Sequence, residues 1–157
     1  MPGERAASDP RAYPDRPFLA VSAVVERDGR ILVVRRARPP AQDRYTLPGG
    51  VVESGETLIE AIRREVEEET TIDIEPVDIA AYREVIARGA DNRAKRHFVI
   101  IVFAARWRAH EPKPNEEIAE ARWIRPEELE GLPTTDGLAE IVARALERLE
   151  GRPCAPS

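Results

Sequence analysis

Between Arg63 and Thr70 the chain reads RREVEEET, with four glutamates in eight residues. Like charges three and four apart on a helix repel one another. On a wheel turning about 100° per residue, with Ile62 at zero, Leu58 and Val66 fall roughly 40° to either side and Ile59 roughly 60° away. These four form a core-facing stripe. Glu60, Arg63, Arg64 and Glu67 fall on the far side. Glu69 lands about 20° from Ile62 and Glu65 about 60° from it, both inside or beside the apolar stripe. Glu68 lies just beyond them. A glutamate-rich helix is ordinarily a solvated acidic face, but these positions argue against that. An unpaired buried carboxylate is costly, and two neighbours must repel or take up a proton. The wheel puts no lysine or arginine on that face, so a divalent cation from solution is the expected partner. Hard oxygen ligands without Cys or His company point to Mg²⁺ or Mn²⁺.

The elements that must position these carboxylates can be read outward from the helix. Thr57 with Glu60 three residues on reads as a capping box that starts it. Upstream, Pro48-Gly49-Gly50 reads as a tight turn whose carbonyls stay exposed, so one could complete a metal's ligand set. Glu56 sits near the helix start, where it compensates the helix dipole or pairs with Arg64; both readings stay open. Phe18–Val25 and Ile31–Val34 read as strands joined by an Asp28-Gly29 hairpin turn. ARPPAQDR is a loop. Ile79–Ile86, a long buried strand over His97–Trp107, and Glu120–Ile124 complete the expected strands. RGADNRAK and HEPKPNEE are the loops between them. A short helix at Pro126 and a last helix over Gly137–Leu149 close the chain. Strands and helices mixed in this way predict an α+β fold with a mixed sheet.

The 157 residues suit one domain, expected over 18–150, with a loose arm at 1–17 and a loose tail at 151–157. A net charge of −5 argues against broad capture of nucleic acid, so no stable nucleic-acid partner is expected. The single cysteine, Cys154, cannot form an internal disulfide. No signal-peptide run or membrane-spanning stretch is legible, so a cytoplasmic protein without a membrane partner is the expectation.

The stretch GVVESGETLIEAIRREVEEETTI, Gly50 to Ile72, resembles the Nudix box through Gly50, Glu56, Arg64, Glu65, Val66, Glu68, Glu69 and Ile72. LPG at Leu47–Gly49, the strand HFVIIVF and the closing EEIAEARWI resemble the family too. The resemblance covers roughly Pro17 to Leu149, and the box is its specific part. One position departs: the family has glycine where this chain has Thr71. A β-branched residue resists the left-handed conformation that glycine allows at a helix exit, so the helix is expected to end differently here.

The resemblance implies a Nudix-type α/β/α sandwich and Mg²⁺-dependent hydrolysis of a nucleoside diphosphate linked to another group. It implies Glu65 and Glu69 as metal ligands, with Glu68 close by and the carbonyl of Gly49 as a further one. Arg64 and Glu56 carry over as supports. For the general base, Glu117 comes first, then Glu68 and Glu116; a solvated loop end is the plainer meaning of Glu116 and Glu117. Arg35, Arg36, Arg38 and Arg44 are the candidates for phosphate oxygens. Tyr45 or Phe98 could stack on a base, although both read more simply as core, as do His97, Trp107 and Trp123. An ADP-ribose-type substrate or a related nucleotide sugar is favoured. Nucleoside triphosphates, NADH and dinucleoside polyphosphates are the alternatives, as is a non-catalytic nucleotide-sensing module. A homodimer is left open.

Overall fold

The computed structural model describes residues 10–39 and 41–151. Residues 1–9 of the expected arm and 152–157 of the expected tail, Cys154 included, lie outside the described residues. Seven strands make one mixed sheet: β1 (Phe18–Arg27), β2 (Arg30–Arg36), β3 (Tyr45–Thr46), β4 (Gly49–Val51), β5 (Asp73–Arg88), β6 (Ala94–Ala109) and β7 (Ile118–Ile124). The main order is β3-β2-β1-β6-β5, with β4 paired to β1 and β7 to β2. Among the described strands, only the β1–β6 pair is parallel; it runs from Phe18↔Phe98 to Glu26↔Arg106 and fills one edge of β1. The other edge of β1 is divided. β2 lies beside Glu26 and Arg27, and β4 lies beside Ala20 to Ser22.

Period-two alternation in β1 sends its apolar residues to two cores. Val21, Ala23 and Val25, with Leu32, Phe103 and Ala105, pack under α1 (Leu58–Thr70) through Ala61, Ile62 and Val66. Val24, with Ile31, Val33, Val102 and Ala104, packs under α2 (Leu138–Leu149) through Leu138, Ile141, Val142 and Ala145. A helix thus covers each face of the sheet, which is the α/β/α sandwich of the expected α+β class. Ile62 and Val66 are fully buried, and each contributes roughly 1.5–3 kcal/mol.

The sequence reading needs correction at several places. β5 and β6 run further than expected, each 16 residues long, and most of β6 is only half-buried. Gly49 and Gly50 are not a turn but part of an extended strand, and their glycine identity has another cause. A Cβ at Gly49 would fall on the Val21 carbonyl oxygen, and one at Gly50 on the Glu65 carboxylate. Ile59, expected in the core-facing stripe, is instead 48% exposed. The helix begins as expected: Thr57 Oγ1 accepts the Glu60 N–H at 3.1 Å and donates to Glu60 Oε1 at 3.1 Å.

Its end is a correction. Thr71 adopts φ 67°, ψ 0°, the left-handed conformation it was expected to resist, and its N–H reaches Glu67 O at 2.8 Å. The helix therefore exits as it would through glycine. In the arm, Tyr13 donates its N–H to Lys95 O at 2.8 Å, and the Arg93 guanidinium lies 5.0 Å from its ring. The segment 10–17 is therefore fastened to the β5–β6 hairpin.

Candidate active site

Arg64 is the hub of the site. The wheel put it on the solvent side, but its long side chain turns back over the first turns of α1 and over the β4–α1 loop. Nε and Nη2 fork onto Glu56 Oε2 and Oε1 at 2.6 and 2.8 Å. Nη1 donates to Glu65 Oε1 at 2.8 Å and Glu68 Oε2 at 3.2 Å, and Nη2 donates to Val51 O at 3.1 Å. Of the two open readings of Glu56, pairing with Arg64 is the one the geometry carries. The Arg64 hydrogen bond and the Glu53 N–H at 2.8 Å lower the Glu56 pKa to about 2. The expectation that no arginine reaches the acidic face is therefore wrong for Glu65.

Glu69 differs. It is 8% exposed and accepts the Gly49 N–H at 3.2 Å. Burial pushes its pKa up to about 8; the Gly49 N–H opposes this, while the charges of Glu65 and Glu117 add to it and that of Arg36 subtracts. Burial likewise raises Glu65, where Arg64 opposes and Glu68 and Glu117 add. Three carboxylates on two elements thus act on one another: Glu65 and Glu69 from α1, and exposed Glu117 from the loop before β7. Glu68 stands at the rim with its side chain 59% exposed.

Among the described residues, no three or more His, Cys, Asp or Glu side chains already converge as a metal-binding group. Glu65 and Glu68 are drawn to Arg64, and Glu69 to Gly49. The donor set still fits a hard divalent cation. It is all oxygen, it holds more negative charge than its cations offset, and Gly50 leaves Glu65 room that any Cβ would fill. Glu65, Glu69, Glu68 and the backbone at Gly49 are the groups that could hold Mg²⁺ or Mn²⁺.

The arginine candidates separate. Arg35 and Arg36 alternate across β2. Arg35 lies opposite Tyr45 and Glu120, on the α2 side, where its Nε reaches Glu120 Oε2 at 3.3 Å and its Nη1 reaches Asp43 at 3.1 Å. Arg36 lies on the α1 side, near enough for its charge to act on Glu69. Arg38 is 3.9 Å from Glu116 on the exposed loop rim. Arg44 donates to Thr134 O at 3.0 Å, away from the glutamates. Tyr45 is core and gives its hydroxyl to Glu120 at 2.9 Å; Phe98 packs on Phe18, ring centroids 5.9 Å apart. Trp107 carries the Arg27 guanidinium 3.7 Å from its ring centre.

Sequence reasoning missed Asn115. Its Nδ2 donates to Glu68 O at 3.2 Å, and its Oδ1 accepts the Glu117 N–H at 2.9 Å. It joins the glutamate helix to the loop that carries Glu117. The signal was present, since an asparagine between Pro114 and two glutamates is an Asx-turn former.

Known proteins resemble this chain in sequence and in fold. An ADP-ribose pyrophosphatase of Methanocaldococcus jannaschii is 32% identical over 119 residues, 74% of this chain and 65% of that protein. The chain therefore spans just under two thirds of that relative. A MutT-like protein of Streptomyces ambofaciens is 31% identical over 148 residues, 92% of this chain and 86% of its own length. The crystal structure of a MutT NUDIX hydrolase from Burkholderia pseudomallei superposes with a TM-score of 0.70 at 28% identity, covering 83% of this chain and 98% of that one. The family described as NUDIX domain matches residues 16–145. With that match over most of its length, the chain belongs to the NUDIX domain family.

Proposed function

We propose that this chain hydrolyses the pyrophosphate bond of a nucleoside diphosphate linked to a second group, with ADP-ribose or a related nucleotide sugar as the substrate class. The observation that carries the reading is Glu69, buried on α1 one turn from Glu65 and accepting the Gly49 N–H, with the charges of Glu65 and Glu117 both acting on it. A site built only for stability would not bury a carboxyl group without a cationic partner beside other acidic side chains. The name of the Methanocaldococcus relative supports the choice of substrate. No described helix is long and apolar enough to cross a membrane.

The diphosphate resists water because its oxygens are negative. Mg²⁺ or Mn²⁺, when bound by Glu65, Glu69 and the backbone at Gly49, supplies positive charge against the diphosphate and acidifies water. Arg64 holds Glu65 in place and fixes α1 to the β4–α1 loop through Glu56. Arg36 adds a cation on the same face of the sheet. Glu117 takes the proton from the attacking water as general base, and its exposure lets that proton leave to solvent. Glu68, gripped by Arg64, is less free to do so.

The test is a panel of ADP-ribose, NADH, dinucleoside polyphosphates and nucleoside triphosphates with Mg²⁺, run beside Glu69→Gln. Release of AMP from ADP-ribose by the wild type, lost in the variant, is the expected result. Equal turnover by both proteins overturns the site. Nucleotide binding without hydrolysis by the wild type turns the reading into a sensing module.

A further inference from the structure

The departure at Thr71 has a structural consequence on the loop opposite. Thr71 holds a left-handed conformation, φ 67°, that β-branched residues seldom take. Its hydroxyl uses that position: Oγ1 donates to Glu111 O at 3.0 Å. Two further bonds run between the same segments. The Lys113 N–H reaches Thr70 O at 2.8 Å, and Asn115 Nδ2 reaches Glu68 O at 3.2 Å. The end of α1 and the loop 110–117 are thus laced together at three successive points. Two of these are the helix's own terminal carbonyls, which need partners beyond the helix. The third exists only because the exit residue carries a hydroxyl, which glycine could not supply.

The lacing ends at Glu117. Asn115 Oδ1 accepts the Glu117 N–H, and Glu117 O accepts the Ala37 N–H at 2.9 Å, next to Arg36. The segment thus begins against the helix exit and ends against β2. Glu117 is presented between them, and its charge acts on both Glu65 and Glu69.

We propose that Thr71 is a positioning residue for hydrolysis: by fastening Glu111 to the helix exit it holds the 110–117 loop so that Glu117 stands over Glu65 and Glu69. This rests on the hydrolytic reading above. The strain of a left-handed threonine persists because the hydroxyl bond and the two neighbouring tethers hold it.

The two properties of Thr71 separate by substitution. Thr71→Gly relieves the backbone and removes the tether. Thr71→Ser keeps the hydroxyl and removes the β-branch. Amide hydrogen exchange of the metal-free full chain reads the tether without turnover. In Thr71→Gly, the amides of Lys113 and Glu117 are expected to exchange faster, with Tm within about 4 °C of wild type. In the same variant kcat on ADP-ribose with Mg²⁺ should fall about threefold to tenfold, the effect of one hydrogen bond, while KM holds. Thr71→Ser should restore both readouts.

Wild-type exchange and kcat in Thr71→Gly overturn the proposal. So does a Tm loss above about 10 °C with kcat and KM changed together, since that marks a merely structural residue. If the wild type hydrolyses no nucleotide, the hydrolytic reading fails instead, and unchanged exchange at 113–117 would still dispose of the tether.

Discussion

Arg64 and Glu56 form a two-point fork, 2.6 and 2.8 Å, that closes the β4–α1 loop onto the middle of α1. The same guanidinium continues to Glu65, so one side chain sets both the loop and a candidate metal ligand. Lysine cannot reproduce this, because an ammonium has no planar fork. Arg64→Lys is expected to lower stability, because the forked hydrogen bonds to a charged group are lost. It should also weaken Mg²⁺ binding. Urea unfolding and a Mg²⁺ titration check the two effects; unchanged midpoints in both would remove Arg64 from its central place.

The same pair sets an acid response. Glu56 has its pKa lowered to about 2 by Arg64 and the Glu53 N–H, against 4.5 when unpaired. A lowered carboxylate binds fewer protons in the folded state than in the unfolded one, so stability rises with pH across the interval between the two values. The contribution is complete above about pH 4.5 and is lost as pH falls from there toward about 2. Thermal melts between pH 2 and 6 should show a slope that Glu56→Gln flattens. An unchanged slope in the variant would mean that another carboxylate governs acid unfolding.

Gly50 is defined by what it leaves out. The place where a side chain would begin is filled by the Glu65 carboxylate. Gly50→Ala must push Glu65 away from Arg64 and from the position facing Glu69. Overpacking of this kind costs about 1–3 kcal/mol. Mg²⁺ affinity should fall more than stability does, because the displaced group is itself a candidate ligand. Calorimetric Mg²⁺ titration beside a melting curve separates the two, and wild-type Mg²⁺ affinity in Gly50→Ala would exclude Glu65 from the metal set.

What could be read in advance followed the range of the contacts. The apolar stripe of α1 and inward Glu69 were legible because helical periodicity is local. Arg64 was misplaced because a wheel gives the direction of Cβ, whereas a long side chain can return toward the helix N-terminus. Gly49 and Gly50 read as a turn, since glycine marks turns and close approaches alike. That Arg35 and Arg36 take opposite faces follows from strand alternation, but which one meets α1 depends on the pairing with β3 and β7. The tether from Asn115 to Glu68 spans 47 residues and leaves no local periodicity to read. At Thr71 local propensity pointed the wrong way, because a tertiary bond to Glu111 outweighs it.

Glu117 is the sharpest test of how the site works. It is exposed and lies outside the helix, so its removal should not disturb the core. Removing its charge also relieves repulsion on both Glu65 and Glu69, so Mg²⁺ should still bind Glu117→Gln. If its carboxylate takes the proton from water, kcat on ADP-ribose should fall about 10²–10⁴-fold, the usual loss of a general base. KM and Tm should stay near wild type, since the interaction is made in the transition state rather than on binding. A rise in KM with kcat unchanged would instead make Glu117 a substrate contact, and the base would then be Glu68, on the other side of the Arg64 hub.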